Sequence, residues 1–380
     1  MQTYVPRQKE ALIKKHLASF PCVVLLGARQ VGKSTLAHKI LNEYRGAIYL
    51  DLEDPRDLAK LQDPLTFLEA NHQALICIDE VQMYPNLFQY FRSYLDNNNR
   101  KGQLLLLGSA SRDLIKQSAE TLAGRISYIE ISPFTADEVE DVKTLWLQGG
   151  YPDSFYLAPD LSFDWRINYI RTFLERDIPQ LGFNIPAEAL RRFWTMLAHL
   201  NGSVMNLSKL ASSMGVSAPT IKNYLDILEG TFVIRRLPPF FTNTKKRLIK
   251  SPKFYIRDTG LIHCLLGIES YNDLLGHPAL GNSFEALVIS SMLEKFSRYD
   301  ASFYRSSSGA EIDLILEKGN KKIAIEIKSS ATPKLTQGFF EALKVISPDQ
   351  AFVIAQIETP FPLKNDIWAY NLQAALNMEL

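Results

Sequence analysis

The octapeptide Gly-Ala-Arg-Gln-Val-Gly-Lys-Ser at residues 27–34 restricts the fold of this chain more than any other stretch of it. It matches the pattern G-x-x-x-x-G-K-[S/T] completely. The run 22–26 before it is apolar and too short for a helix, and 33–44 after it has helical spacing. The N–H groups of such a loop and the helix N-terminus attract anions. The pattern therefore predicts a phosphate-binding loop rather than a chance glycine-rich turn.

The loop supplies the first candidate ligands. We expect Lys33 to reach the β- and γ-phosphates and the Ser34 hydroxyl to bind Mg²⁺. The predicted nucleotide-binding residues are Gly27, Ala28, Arg29, Gln30, Val31, Gly32, Lys33, Ser34 and Thr35. The sequence 320–323, Asn-Lys-Lys-Ile, lacks the aspartate of a guanine-binding N-K-x-D signature, so ATP is the expected nucleotide.

A second apolar run, 74–78, ends in the acidic pair Asp79 and Glu80. If this run is a buried parallel strand, Asp79 lies beside the phosphate loop and can hold Mg²⁺ through water. Glu80 is then placed to orient or deprotonate the attacking water. An apolar run followed by two acids is by itself a weak signal, which a solvated strand end explains as well. The complete loop upstream favours the catalytic interpretation.

Two further residues are candidates for the chemistry of hydrolysis. Ser109 follows the apolar run 104–107 and Gly108, where a polar side chain can sense the γ-phosphate. Arg125, or alternatively Arg112, can supply the positive charge of an arginine finger. A surface arginine explains either residue equally well, and the sequence does not decide whether Arg125 would act within one subunit or across an interface.

Length and composition fit this interpretation. The 380 residues are enough for two or three domains, and short apolar runs alternating with helical stretches in the first third predict a doubly wound parallel sheet. The net charge of +1 excludes a wholly basic nucleic-acid coat. No cysteine pair has C-x-x-C spacing, no signal-peptide pattern opens the chain, and no apolar run approaches the ~20 residues of a membrane span. We therefore expect a cytoplasmic protein.

The middle of the chain has the pattern of a helix-turn-helix. Residues 206–214 and 218–228 have helical spacing, with Gly215 between them and Thr220, Lys222 and Asn223 facing outward. Strand-like residues 231–237 follow, as in a winged helix. From 222 to 257 there are nine basic and two acidic residues. Double-stranded DNA is the predicted partner, although winged helices also bind proteins and basic runs are often only solvated. The predicted DNA contacts are Thr220, Lys222, Asn223, Arg235, Lys245, Lys246 and Arg247.

A group of carboxylates marks the last third. Glu311 and Asp313 share one face of a predicted strand, and Glu326 and Lys328 share one face of the next. Glu285 lies upstream on a predicted helix. Oxygen ligands of this type suit Mg²⁺, and a lysine beside them can stabilise charge on a cleaved phosphate. Asp313, Glu326 and Lys328 are thus catalytic candidates and Glu285, Asp313 and Glu326 metal ligands. Many exposed hairpins carry acids and a lysine, so cleavage is a separate question.

Taken together, the chain resembles prokaryotic AAA+-like ATPases that combine an N-terminal P-loop domain, a winged-helix segment and a C-terminal PD-(D/E)xK nuclease-like domain. The resemblance spans nearly the whole chain. It rests on GARQVGKSTL, DLEDPRDLAKLQDPLTFLE, ICIDEVQMYPNLF, LLLLGSASRDL, LAGRISYIEISPFT, YIRTFLERDIPQL, FYIRDTGLI, GNSFEALV, GAEIDLIL and AIEIKSS. In place of the usual Pro-Asp pair the chain has Ile312-Asp313, which keeps the acidic ligand.

The resemblance implies an α/β protein of three domains: a P-loop NTPase with a parallel sheet (1–140), a helical and winged-helix part (141–265) and a restriction-endonuclease-like domain (266–380). It also implies ATP at 27–35, Mg²⁺ and water at Asp79 and Glu80, and a metal site at Glu285, Asp313, Glu326 and Lys328. The expected function is ATP hydrolysis coupled to action on DNA. The alternative is a nucleotide-driven switch that binds a protein partner and has a non-cleaving C-terminal domain. Either function is compatible with a homo-oligomer.

Overall fold

The computed structural model describes residues 4–98, 100–108, 120–241 and 251–380. By its internal contacts the chain divides into two compact units. The first comprises Met1–Pro133 together with Gly230–Phe232, and the second comprises Phe134–Glu229 together with Val233–Leu380. Among the described residues, no helix combines the length and apolarity that crossing a membrane requires.

The first unit alternates strands and helices. Its elements are α1 (Glu10–Leu17), β1 (Cys22–Leu26), α2 (Lys33–Leu41), β2 (Ile48–Asp51), α3 (Pro55–Lys60), α4 (Pro64–Ala70), β3 (Ile76–Asp79), a 3₁₀ turn (Val81–Met83), α5 (Leu87–Asn97), β4 (Leu104–Gly108) and β5 (Ile126–Glu130).

The described strands of this unit form one parallel sheet in the order β2-β3-β4-β1-β5. Every residue of β1, β3 and β4 is buried, because these central strands have helices on both faces. In a parallel sheet all the carboxyl ends lie at one edge, where α/β proteins bind ligands. Leu26 pairs with Gly108, and Asp51 pairs with Asp79, so the last residues of these four strands lie at this edge.

The second unit begins with helices. Its elements are α6 (Val142–Gln148), α7 (Pro152–Phe155), α8 (Pro159–Thr172), a π turn (Phe173–Asp177), α9 (Ile178–Gln180), α10 (Ala187–His199), α11 (Leu207–Met214), α12 (Ala218–Gly230), β6 (Ile234–Leu237), β7 (Lys253–Ile256), α13 (Thr259–Leu266), α14 (Tyr271–Gly276), α15 (Leu280–Lys295), β8 (Asp300–Arg305), β9 (Glu311–Lys318), β10 (Lys321–Lys328), α16 (Gln337–Ile346), β11 (Gln350–Ala355), β12 (Phe361–Lys364), β13 (Ile367–Tyr370) and α17 (Leu372–Leu376).

The predicted pair of helices in the middle of the chain is formed. The Asn206 side chain caps α11, and Gly215 ends it in the left-handed conformation that glycine adopts most readily. The Ser217 hydroxyl then accepts a hydrogen bond from the Thr220 N–H of α12 at 3.2 Å. The strands β6 and β7 pair antiparallel after the second helix. The geometry is that of two helices followed by a two-stranded ribbon, and its classification as a winged helix stays a prediction.

Described strands of the last part of the chain form a mixed sheet in the order β12-β13-β11-β10-β9-β8. The strands β9 and β10 make a hairpin in which Leu314 pairs with Ile325. This register places Asp313 and Glu326 on adjacent positions of neighbouring strands. With the parallel sheet of the first unit, the mixed sheet confirms the predicted α/β class.

Candidate functional site

The phosphate loop has the backbone that its glycines predict. Gly27 has φ +156°, and a Cβ built there would lie 2.1 Å from the carbonyl oxygen of Ile131. Gly32 is left-handed at φ 90° and is the N-cap residue immediately before α2. The guanidinium of Arg7 donates to the carbonyls of Val31 at 2.8 Å and Ser132 at 2.6 Å. Arg7 thus holds the loop from outside the motif, which sequence reasoning missed.

Lys33 lies inside this loop. Its side chain is buried, and Nζ donates to the carbonyl oxygens of Gly27 at 3.0 Å and Ala28 at 2.9 Å. Burial lowers the pKa of Lys33 to about 8, against the opposing effect of the Glu80 and Asp79 carboxylates. A phosphate bound beside this ammonium would favour its charged form.

Asp79 collects hydrogen bonds at the carboxyl end of β3. Its Oδ2 accepts from the Ser34 hydroxyl and from the Tyr49 hydroxyl, both at 2.6 Å. Its Oδ1 accepts from the Glu80 N–H at 2.8 Å. A serine hydroxyl beside a carboxylate is a hard oxygen donor pair, which fits Mg²⁺. The residues predicted to hold the metal are therefore brought together here, and Tyr49 is a partner that sequence reasoning missed.

Glu80 adopts an unusual backbone conformation next to this pair. Its φ is +51°, which is uncommon for a residue with a side chain and is found where the surroundings enforce it. Burial raises the pKa of Glu80, while Lys33 and a hydrogen bond from the Gln82 amide oppose the rise. A carboxylate with a raised pKa beside the phosphate loop is suited to take a proton from water.

The other predicted residues of the first unit include Ser109, Arg29 and Arg125. Ser109 lies outside the described residues, although the preceding Gly108 pairs with Leu26 beside the loop. Arg29 is bonded to Glu53 at 2.8 Å. Arg125 precedes β5, its carbonyl accepts from the Cys22 N–H, and its side chain pairs with Asp96 at 2.5 Å. The structure does not bring Arg125 to the phosphate loop of its own chain, because about 16 Å of strand separates the two sheet edges.

The second unit brings the predicted carboxylates together around a lysine. Lys253 Nζ lies 3.2 Å from Glu285 Oε1, 2.9 Å from Glu311 Oε1 and 3.7 Å from Asp313 Oδ1. The Tyr255 hydroxyl donates to Glu285 Oε1 at 2.5 Å. Burial disfavours the charge on Lys253, but Glu285, Asp313 and Glu311 outweigh it and raise the pKa of the lysine. From sequence alone, Lys253 belongs to the basic stretch 222–257 that predicts DNA binding.

Glu326 and Lys328 lie beside this cluster. Lys328 Nζ donates to Glu326 Oε1 at 2.6 Å, and the Ile327 N–H donates to Asp313 Oδ2 at 2.9 Å. Burial, followed by the Asp313 charge, raises the pKa of Glu326 to about 8 and that of Glu285 to about 7. Burial also raises the pKa of Asp313.

The predicted metal site at Glu285, Asp313 and Glu326 does not fit this arrangement. Within the described residues, no group of three or more His, Cys, Asp or Glu side chains is arranged to hold a metal ion. The physical reason is that Glu285 and Asp313 are directed at the ammonium of Lys253, which already supplies the positive charge that a metal would bring.

The predicted DNA contacts are only partly described. Lys222 and Asn223 on α12 are exposed and Thr220 is half-buried, as is Arg235 on β6. Lys245, Lys246 and Arg247 lie outside the described residues. Two other basic residues of the stretch are engaged internally: Arg236 pairs with Asp226 at 3.1 Å and Glu229 at 2.9 Å, and Lys253 is buried. The positive charge that α12 and its ribbon offer to DNA is therefore smaller than the sequence suggests.

Comparison with known proteins agrees with the geometry of the loop. Residues 19–140 match the family described as "AAA domain". Residues 139–272 and 280–375 match two domains of unknown function, DUF8612 and DUF4143. An uncharacterized protein of Mycobacterium tuberculosis is 38% identical over 366 residues, which are 96% of this chain and 82% of that protein. The chain belongs to the family of this mycobacterial protein.

Two more distant proteins extend the comparison. An uncharacterized protein of Haemophilus influenzae is 22% identical over 80% of this chain and 81% of its own length. The solved structure of a Walker-type ATPase of Pyrococcus abyssi is 18% identical, covers 69% of this chain and 96% of its own, and superposes with a TM-score of 0.51. At this identity the likeness shows the fold alone. The first unit therefore has the fold of a P-loop ATPase, with a match to an AAA domain at residues 19–140.

Proposed function

We propose that the chain hydrolyses ATP with Mg²⁺ at the carboxyl edge of the first sheet. The observation that carries the proposal is the 2.6 Å contact between the Ser34 hydroxyl and Asp79, with buried Lys33 and half-buried Glu80 close enough to interact with Asp79 electrostatically. Lys33 and the loop N–H groups bind the phosphates. Ser34 and Asp79 would hold Mg²⁺, which when bound neutralises charge on the phosphate oxygens. Glu80 orients the water and accepts its proton.

The variant Glu80→Gln tests this function because it keeps the size of the side chain and removes the base. We expect ATP binding within a few-fold of the wild type and a fall in kcat of about 10²-fold or more. The matched control is Glu69→Gln, the same change at an exposed position of α4. Unchanged turnover in Glu80→Gln, measured as phosphate release, would exclude this glutamate as the base.

The second part of the proposal is that α12 contacts double-stranded DNA. The exposed Lys222 and Asn223 near its first turn support it, since recognition helices present their N-terminal residues to base edges. Lys222→Glu should weaken DNA binding and reduce the slope of log affinity against log salt by about 1 or more. The control is Lys101→Glu, the same charge reversal at an exposed residue of the first unit. Equal effects of the two changes would contradict a contact at α12.

The internal ion pairs of Arg236 and Lys253 favour a second candidate function. In it the chain is a nucleotide-driven switch that acts on a protein partner, and its C-terminal part does not cleave DNA. The Glu80→Gln protein separates the two functions, because it can be held with ATP or with ADP. The switch predicts a nucleotide-dependent change in sedimentation without DNA and no shift of a DNA duplex. Action on DNA predicts a duplex affinity that differs between the two nucleotides.

A further inference from the structure

Lys253 has an unusual position for a lysine. Its side chain is only 3% exposed, and it extends from β7 into the acidic cluster formed by Glu285, Glu311 and Asp313. These acids come from α15 and β9, so the contact joins elements that are distant in sequence. A buried ammonium without acidic partners would be strongly destabilising. The surrounding carboxylates compensate its charge.

The same oxygens would be required by a divalent ion. Glu285 Oε1 accepts from Tyr255 besides contacting Lys253, and Asp313 Oδ2 accepts from the backbone N–H of Ile327. Among the described carboxylates of this region, the buried oxygen that lacks a hydrogen-bond partner is Glu326 Oε2, while Oε1 of the same carboxylate accepts from Lys328 at 2.6 Å. Mg²⁺ and Mn²⁺ prefer about six oxygen ligands. A cluster that already contains two ammonium groups, those of Lys253 and Lys328, offers a poor site for a further cation.

We propose that Lys253 is an internal counter-cation that takes the place of a divalent metal ion in this cluster. With the lysine present, Glu285, Glu311 and Asp313 form an ion-paired structural centre that does not require or bind a metal. The proposal is independent of ATP hydrolysis, since it concerns residues of the second unit only.

The first experiment uses the nucleotide-free full-length chain and Mn²⁺ as the probe. Bound Mn²⁺ is counted by electron paramagnetic resonance for the wild type and for Asp313→Asn. We expect identical Mn²⁺-binding curves for the two proteins, and equal changes in their Tm values on adding EDTA or about 1 mM Mn²⁺, near the weak end of the Kd range of protein Ca²⁺ sites. A wild-type site that Asp313→Asn removes would overturn the proposal. Any Mn²⁺ at Asp79 cancels in the comparison.

The second experiment removes the lysine. Lys253→Met keeps the length of the side chain without its charge, and we expect one additional Mn²⁺ site, at least ten-fold tighter than any binding by the wild-type cluster. The double variant Lys253→Met/Asp313→Asn should lose this site, and Lys253→Arg should behave as the wild type. If the Lys253→Met chain folds but gains no Mn²⁺ site, the lysine does not occupy the place of a metal ion and the proposal is wrong. If that variant does not fold, the wild-type comparison with Asp313→Asn still decides the proposal.

Discussion

Asp79 depends on a tyrosine that no motif contains. The Tyr49 hydroxyl donates to the same Oδ2 as Ser34, and a hydrogen bond to a charged group contributes about 1.5–3 kcal/mol. We therefore expect Tyr49→Phe to lower kcat/KM for ATP about ten-fold and to raise the Mg²⁺ concentration needed for half-maximal activity. Steady-state phosphate release over a Mg²⁺ titration measures both effects.

The control for this residue is Tyr44→Phe, at a half-buried tyrosine in the same unit. It should leave the Mg²⁺ titration unchanged. If Tyr49→Phe also leaves the titration unchanged, Ser34 and the Glu80 N–H suffice to position Asp79.

Some residues of the candidate site can be recognised from a short stretch of sequence, and others only from the folded structure. Lys33, Ser34, Asp79 and Glu80 lie in contiguous patterns whose chemistry can be read locally, and the structure brings them together. Tyr49 could not be found in this way, because it reaches Asp79 only through the pairing of β2 with β3. Lys253 carried a misleading signal, since its neighbours in sequence are basic while its neighbours in space are acids.

At the scale of an element, the turn from β1 into α2 depends on how closely β5 approaches it. A methyl group at Gly27 would collide with the backbone of Ile131, which cannot move without disturbing the end of β5. Gly27→Ala should lower the free energy of unfolding by several kcal/mol, roughly the cost of severe overpacking with backbone strain, and abolish ATP binding.

Gly46→Ala is the matched variant. Gly46 also has a positive φ, +72°, but a Cβ there meets no atom within 4 Å. It should cost only about 1 kcal/mol, the cost of the left-handed conformation, and leave ATP binding intact. Chemical unfolding and nucleotide titration of both variants test the difference. Equal losses would mean that backbone conformation rather than the contact with Ile131 sets the requirement for glycine.

The strands could be predicted from the sequence where both of their faces are buried. The runs at 22–26, 74–78 and 104–107 are strands with both faces covered, so each is continuously apolar. In contrast, β5 gave no such signal, because it lies at the sheet edge and its residues are alternately buried and half-buried. The alternation of apolar and polar residues predicts the hairpin of β9 and β10. It does not predict that Lys253 of β7 contacts the acids of this hairpin, because the local pattern does not specify how β7 pairs.

At the scale of the whole molecule, two buried groups of the second unit act on stability in opposite directions. Burial raises the pKa of Asp258 from 3.8 to about 6, although it accepts hydrogen bonds from the Gly150 and Leu261 N–H groups. Its contribution to stability is present below pH 3.8 and is lost as pH rises through 6. Burial lowers the pKa of His263 from 6.5 to about 4. Its contribution is present above pH 6.5 and is lost as pH falls through 4.

Each shift corresponds to about 3 kcal/mol over its pH range, so in the wild type the two effects largely cancel between pH 4 and 6.5. When one of the two groups is removed, the effect of the other on the pH dependence of stability is no longer cancelled. Relative to the wild type, Asp258→Asn should become more stable as pH rises from 4 to 6, and His263→Gln should become more stable as pH falls from 6.5 to 4. Urea unfolding of the three proteins across this range gives the difference curves, with exposed His72→Gln as the control that should follow the wild type. Difference curves whose slopes against pH have the same sign would contradict the prediction, because opposite slopes follow from the opposite charges of the two groups in their ionised states.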